Sequence, residues 1–251
     1  MREWQEEAII LRLGHFNESH LWLRVLLKNG GLLTAFAFGA MRSRKRFCGC
    51  LDLFNTINGR FQIAGRKNYA CIAEAVLLAA PQALRSDWRS MGVAANCFLF
   101  LEACGVPADS AAGIFDVVEH LRIVLESGNF PQLLPLFFRL KVAAELGQGP
   151  CLSNCGKCGN ALDDQARFMV EDGQMQCSAC ASQSVKAGLG RSISISPGAA
   201  AFLNLVQNSQ PDAWQSWRLT CNERRDCAMF IDAFIQYHLG LVWENCCFRH
   251  A

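Results

Sequence analysis

Four of the fourteen cysteines fall in two knuckles, Cys155-Gly156-Lys157-Cys158 and Cys177-Ser178-Ala179-Cys180, with eighteen residues between them. This is the spacing of a four-thiolate zinc site. A two-residue gap lets one tight turn aim both sulfurs at a single ion, and Zn²⁺ takes four ligands in a tetrahedron. Gly156 and Gly159 give the first knuckle the backbone freedom that such a turn needs. Four protein ligands leave no position for water, so the expected role of the metal is structural. A thioredoxin-like redox pair or a set of unrelated thiols would not explain two knuckles so placed. Cys151 is a further thiol nearby and a possible competitor, and Asn160 to Gln176 reads as a short hairpin between the knuckles.

A second cluster is Arg42-Ser43-Arg44-Lys45-Arg46, four cations in five residues. Such a run on a loop is not neutralised locally, and phosphate is its natural partner. On the earlier strand His20–Lys28, Trp22 lies with Arg24 and Lys28 on the less apolar face, the arrangement of a base-stacking platform beside a charged groove. The plainer readings are a solvated basic loop and a tryptophan capped by a neighbouring element. Charge is distributed to match. Residues 1–80 carry eleven Lys/Arg against six Asp/Glu, and the remainder carries thirteen against sixteen. A polyanion would therefore meet the front of the chain.

Catalytic motifs are missing where they would be expected. Gly188-Leu189-Gly190-Arg191-Ser192-Ile193 starts like a dinucleotide fingerprint but puts Ile193 at the third glycine. Gly156-Lys157 has Cys151 in place of the Walker glycine and Cys158 in place of Ser/Thr. No His-x-Glu accompanies the knuckles as in zinc deaminases. His15, His20, His120, His238 and His250 are isolated in sequence. The reading is non-enzymatic; a zinc-dependent enzyme acting on nucleic acid or a small molecule is the rival, and it needs a metal position open to water.

The elements that must carry these residues follow from periodicity. At 251 residues, 51% of them apolar, the chain can bury a large core. Met1 to Glu7 is too acidic for a cleavable signal, and Arg139 and Lys141 interrupt the most apolar stretch, Leu133 to Leu146. A reduced cytoplasm is expected, where cysteines favour metal over disulfides. Strands are predicted over Trp4–Leu13, His20–Lys28, Leu32–Gly39, Leu51–Ile57, Arg60–Ile63 and Tyr69–Leu78, with turns at Asn29-Gly30-Gly31 and Asn58-Gly59. Short strands in about eighty residues fit a closed barrel such as an OB-fold. Helices are predicted near 83–104, 110–126, 130–147, 197–207 and 222–242. Leu136-Phe137-Phe138 with Arg139 reads as core rather than as a partner groove. The fold class is α+β: an N-terminal OB-fold barrel over 1–80, then a helical domain over 81–251 that carries a zinc module at about 150–185.

Taken together, Ala8-Ile9-Ile10-Leu11, Asn17-Glu18-Ser19, the Gly31 hairpin, Phe38-Gly39-Ala40-Met41-Arg42-Ser43-Arg44-Lys45-Arg46, Leu51-Asp52-Leu53-Phe54, Glu74-Ala75, Leu84-Arg85-Ser86-Asp87, the cysteine knuckles and Tyr237-His238-Leu239-Gly240 resemble the RecO recombination-mediator family. The resemblance covers most of the chain. It implies an OB-fold followed by a helical domain with a zinc module. It also implies binding of single- and double-stranded DNA, annealing of complementary strands, contact with the tail of the single-strand-binding protein SSB, and loading of RecA together with RecR. The protein would then be cytoplasmic and join the nucleoid during repair. The chain departs from the family where Arg often precedes the glycine matching Gly39 and Phe38 stands here. It also has Leu53 in place of a frequent Pro, and Glu244-Asn245 in place of a terminal Lys-Ser. A scaffold that recruits partners with little DNA affinity is the alternative that such losses of charge allow.

Overall fold

A computed structural model describes residues 3–43, 45–64, 69–186, 188 and 190–250. Its first five strands are β1 (Glu3–Phe16), β2 (His20–Leu27), β3 (Gly31–Ala37), β4 (Thr56–Ala64) and β5 (Tyr69–Ala79). They close in the order β1-β2-β3-β5-β4, with β3 and β5 parallel and every other pairing antiparallel. This is the five-stranded barrel of an OB-fold. Alternation sets the core: Leu21, Leu23, Val25 and Leu27 of β2 point inward with Ala35, Ala37, Ile57, Phe61 and Ile72. Asn29-Gly30-Gly31 makes the β2–β3 turn, and Gly31 takes φ 72° with its α-carbon against the Val106 carbonyl. A Cβ there would sit 2.1 Å from that oxygen. Gly31→Ala is therefore expected to cost at least about 1–3 kcal/mol, read as a lowered midpoint of denaturant unfolding. A midpoint equal to wild type would show that the 105–107 segment yields.

One sequence expectation in the barrel is overturned. Asn58-Gly59 does not join two strands; it lies inside the continuous β4, where Asn58 pairs with Glu7 and Val76, and Gly59 with Glu6 and Ala75. Gly59 is needed for space, because a Cβ would meet the Phe61 ring at 2.7 Å and Ile72 at 3.2 Å. Leu51 to Asn55 is correspondingly a turn rather than a strand, with Phe54 at φ 67°.

The helices are α1 (Gln82–Ser86), α2 (Trp88–Cys104), α3 (Ala111–Glu126) and α4 (Leu134–Glu145). The single helix expected near 83–104 is broken at Asp87, whose extended backbone lets its carboxylate accept from the Ser90 N–H and hydroxyl and cap α2. Pro135 moves the start of α4 to Leu134, four residues past the expected 130. The hairpin β6 (Arg167–Met169) and β7 (Gln174–Gln176) follows, then α5 (Ser178–Lys186), β8 (Ser192–Ser194), α6 (Pro197–Asn208), α7 (Cys221–Phe234), β9 (Leu241–Glu244) and β10 (Cys247–His250). Ser196 and Pro197 open α6 as expected, although the Ser196 side chain makes no capping bond. Thr220 and Glu223 form a capping box on α7.

The helix expected to reach Val242 stops earlier. It becomes a π-helical turn over Ile235–Leu239, and Gly240 at φ 63° releases the chain into the β9–β10 hairpin. That hairpin turns on Asn245 (φ 49°) and Cys246 (φ 60°), a pair of positive-φ positions suited to Asn-Gly. Cys246→Gly removes the steric cost of the left-handed conformation and is expected to stabilise by about 0.5–1 kcal/mol. Thermal unfolding checks it; an unchanged or lower midpoint would show that Cys246 has a packing role.

The chain forms two compact units, one running to Phe98 and taking in Gly105–Arg122, the other built from Leu99–Cys104 and everything from Ile123. In the second, α4, α6 and α7 pack together around Phe137, Phe138, Phe202 and Phe230, with Phe137 against Phe202 at 4.8 Å. The β6 residue Phe168 inserts against Phe230 (4.5 Å) and Phe234 (6.3 Å), and His238 Nε2 donates to the Val170 carbonyl at 2.7 Å. Among the described residues no helix is long and apolar enough to cross a membrane.

Candidate metal centre and nucleic-acid interface

The four knuckle cysteines converge. The Sγ atoms of Cys155, Cys158, Cys177 and Cys180 all lie within 4.8 Å of one another, Cys155 and Cys177 buried and Cys158 exposed. Local backbone explains how. The Cys155 N–H donates to the Asn160 carbonyl and Gly159, at φ 76°, returns its N–H to the Cys155 carbonyl, so the first knuckle is a closed turn. Gly156 carries no side chain because Gln174 fills that space, and its N–H donates to the Met175 carbonyl of β7. The second knuckle opens α5, with Cys177 just ahead of it and Cys180 in its first turn.

The thiols respond to this crowding in opposite directions. Burial raises Cys155, but N–H groups of Cys177, Cys158 and Lys157 outweigh it and bring the thiol down to about 6. Burial, reinforced by the Cys177, Cys158 and Cys155 thiols, pushes Cys180 up to about 12. One thiolate thus suppresses the next, and a bound cation relieves that repulsion. The donor set, four soft sulfurs at mutual contact, can hold a metal ion. Cys151 stays outside the cluster; it is exposed and bridges to Gln174. Sequence reading missed Asp163. Its carboxylate accepts from the Ser178 N–H (2.9 Å) and hydroxyl (2.8 Å), which caps α5 and holds the second knuckle; both contacts lower its pKa, the N–H more.

The basic loop is anchored at one end and open at the other. Phe47 and Cys50 are buried in the barrel core, and the Ala75 N–H donates to the Arg46 carbonyl. Arg46 also donates Nη2 to the Phe38 carbonyl at 2.7 Å, with its guanidinium 5.1 Å from the Phe47 ring. Arg42, in a 3₁₀ turn over Ala40–Arg42, and Lys45 are exposed. Arg44 lies outside the described residues.

The other expected contacts divide. Trp22 and Arg24 both face outward on β2. Trp22 is half-buried with its indole over Gly14, and Arg24 donates to Thr34 Oγ1 at 3.0 Å. Lys28 stands six residues along the strand from Trp22, roughly 20 Å away. It pairs with Glu7 at 3.0 Å and lies 5.7 Å from the Phe115 ring. Its hydrogen bond and charge contact with Glu7 raise its pKa. Phe137 and Phe138 are core, as read from sequence, whereas Leu136 is half-buried; the neighbouring Arg139 is buried against Asp232 (3.5 Å) and the Phe248 ring (4.9 Å).

Comparison with known proteins agrees with both halves of this architecture. Residues 1–81 match the family model "Recombination protein O N terminal", and residues 85–245 match "Recombination protein O C terminal". A DNA repair protein RecO from Nitratidesulfovibrio vulgaris (strain DP4) is 41% identical over 253 residues, covering 98% of this chain and 99% of that protein. Those of Oleidesulfovibrio alaskensis and Lawsonia intracellularis are 38% and 36% identical, over 98% and 97% of this chain and 99% and 97% of their own length. With a closed N-terminal barrel, a helical rear and matches spanning both, the chain belongs to the RecO family of DNA repair proteins.

Proposed function

We propose that the protein is a non-enzymatic recombination mediator that binds single- and double-stranded DNA through its barrel, anneals complementary strands, and works with RecR and SSB to load RecA. The observation that carries the reading is the exposed basic loop at Arg42 and Lys45, mounted on an OB-fold barrel in a RecO-family chain. Cations at one edge of such a barrel neutralise two phosphate backbones at once and lower the repulsion that keeps complementary strands apart. Residues 1–80 would form the DNA-binding domain and 81–251 the helical domain. Arg42, Arg44, Lys45 and Arg46 are the primary phosphate contacts, with Arg24 and Trp22 on the adjoining face. Lys28 contributes less, because Glu7 already neutralises it.

The metal is Zn²⁺, held by Cys155, Cys158, Cys177 and Cys180 in a structural role. Its donor set is all thiolate, and bound Zn²⁺ would fold the module rather than supply chemistry. For the acidic-apolar SSB tail, the helical unit offers a hollow of about 180 Å³ rimmed by the exposed Trp217, Arg218 and Arg224, with the core residues Phe137, Phe202 and Trp214 only as its buried floor. The protein would act in the bacterial cytoplasm at the nucleoid. Annealing of complementary oligonucleotides, followed across a salt series, tests the function. Annealing that weakens steeply with salt supports it; no annealing and no DNA binding at any salt would leave a partner-recruiting scaffold.

A further inference from the structure

The outer face of the barrel is covered at one end and open at the other. Ile9, Leu11 and Leu26 are buried without belonging to the barrel core, and near them Lys28 meets Phe115 and Thr56 donates to Glu119 of α3 at 2.6 Å. Beyond Arg24 the same face changes character. Register places Gly14, Trp22 and Phe36 in one row across β1, β2 and β3, and Phe16 beside His20 in the next. Phe38 continues just past β3, and Tyr69 begins β5 next to them. Phe16, Phe38 and Tyr69 are 44%, 37% and 37% exposed, a concentration of open rings that a barrel does not need for its own stability.

The rings support one another. Phe36 meets Phe16 edge-on at 5.6 Å and Tyr69 at 5.9 Å, Phe38 meets Tyr69 at 6.0 Å, and His20 meets Phe38 at 5.2 Å. Edge-to-face contacts hold the rings in place before any ligand arrives, so little ordering is lost on binding. His20 is itself fixed, because its Nδ1 accepts the Gly39 N–H at 2.9 Å. Charge borders the patch on two sides. Arg46 ties the basic loop to the Phe38 carbonyl, and Arg12 and Arg24 form the next row, with Arg12 5.7 Å from the Trp22 ring. Glu18, in the β1–β2 turn, is the acidic residue nearest in the chain.

We propose that Phe16, Phe36, Phe38 and Tyr69 form a stacking surface for the unpaired bases of a single nucleic-acid strand whose phosphates run along Arg46 and the basic loop. The inference rests on the DNA-binding reading above and adds a preference that charge alone does not confer. Duplex bases are already stacked on one another, so the rings engage only a strand whose bases are free. A protein partner would also like apolar rings, but a rim of cations on two sides matches a polyanion.

The test uses the full-length, zinc-loaded protein. Binding of a fluorescent oligothymidine is compared with that of an abasic strand of equal length and of a duplex, at fixed salt. Wild type should hold the abasic strand much more weakly than oligothymidine. Phe16→Ala/Phe38→Ala/Tyr69→Ala should lose about tenfold or more on oligothymidine, with duplex and abasic binding unchanged and the salt slope preserved. Phe38→Tyr/Tyr69→Phe, which keeps both rings, should bind as wild type and controls for folding. Equal loss on duplex and single strand, or no loss on either, would overturn the stacking surface while leaving the basic-loop reading intact. Wild type that binds no DNA would overturn both. Undiminished strand binding with loss of RecR or SSB capture would reassign the patch to a protein partner.

Discussion

Stripping the metal is expected to unfold the module that spans both knuckles while the barrel stays folded. Four-thiolate zinc sites contribute on the order of 10–16 kcal/mol of apparent folding free energy, more than the total stability of most domains. The two knuckles sit on a closed turn and a helix start, and the β6–β7 hairpin between them is anchored through Phe168 and Val170 rather than at the cysteines, so the turns themselves depend on the ion. Cys155→Ser or Cys177→Ser removes a buried ligand and should release the ion. Metal content would fall and hydrogen exchange would rise from about residue 150 onward, with protection in β1–β5 unchanged. Because all four thiols must lose their protons to bind, retention should also fall as pH falls, and Cys180, pushed up to about 12 in the absence of a cation, sets the largest proton cost. A variant that keeps full metal content and native melting would contradict the structural role.

Neutralising the basic loop should produce the largest functional loss. The change Arg42→Ala/Arg44→Ala/Lys45→Ala/Arg46→Ala is expected to abolish most annealing. Each phosphate contact contributes about 0.7 to the salt slope on single strands and about 0.9 on duplex, so the slope should become shallower by up to about 2.8 on single strands and about 3.6 on duplex. The loop's anchoring separates electrostatics from structure. Arg42→Ala/Lys45→Ala alters only exposed side chains and should lower the single-strand slope by about 1.4 with an unchanged melting midpoint. Arg46→Ala additionally frees the Phe38 carbonyl, so its defect should exceed one phosphate contact. Equal annealing by wild type and the fourfold variant would move the DNA surface off this loop.

The convergence of the four cysteines was legible because knuckle spacing is local: each knuckle is one turn, and the turn dictates the two-residue gap. The barrel was legible from β2, where Leu21, Leu23, Val25 and Leu27 recur on one face while the other face, with Trp22, Arg24 and Leu26, is mixed. Elsewhere local signals misled because tertiary space overruled them. Asn58-Gly59 has the composition of a hairpin turn, but Gly59 exists to admit the Phe61 ring. The C-terminal hairpin was hidden for the opposite reason: its turn uses Asn245-Cys246, and Cys246 gives no hint of a left-handed backbone. The outer aromatic patch left a trace in sequence, since Phe36 and Phe38 alternate with Ala35 and Ala37. Its assembly with Phe16 and Tyr69 depends on strand register and on a β3–β5 pairing that brings together residues more than thirty apart. Asp163 was invisible because its partner Ser178 lies fifteen residues on.

The packing of Phe168 edge-on against the stacked Phe230 and Phe234, with His238 holding Val170, has a consequence for biosynthesis. A ribosome releases the chain from its N-terminus, so the four cysteines of the knuckles can converge well before α7 exists. Until some sixty further residues emerge, Phe168, which is fully buried in the finished protein, has no aromatic bed to enter. Translation stalled ahead of Cys221 would therefore leave a closed cysteine module with a sticky ring on its surface, a nascent species that chaperones would be first to meet.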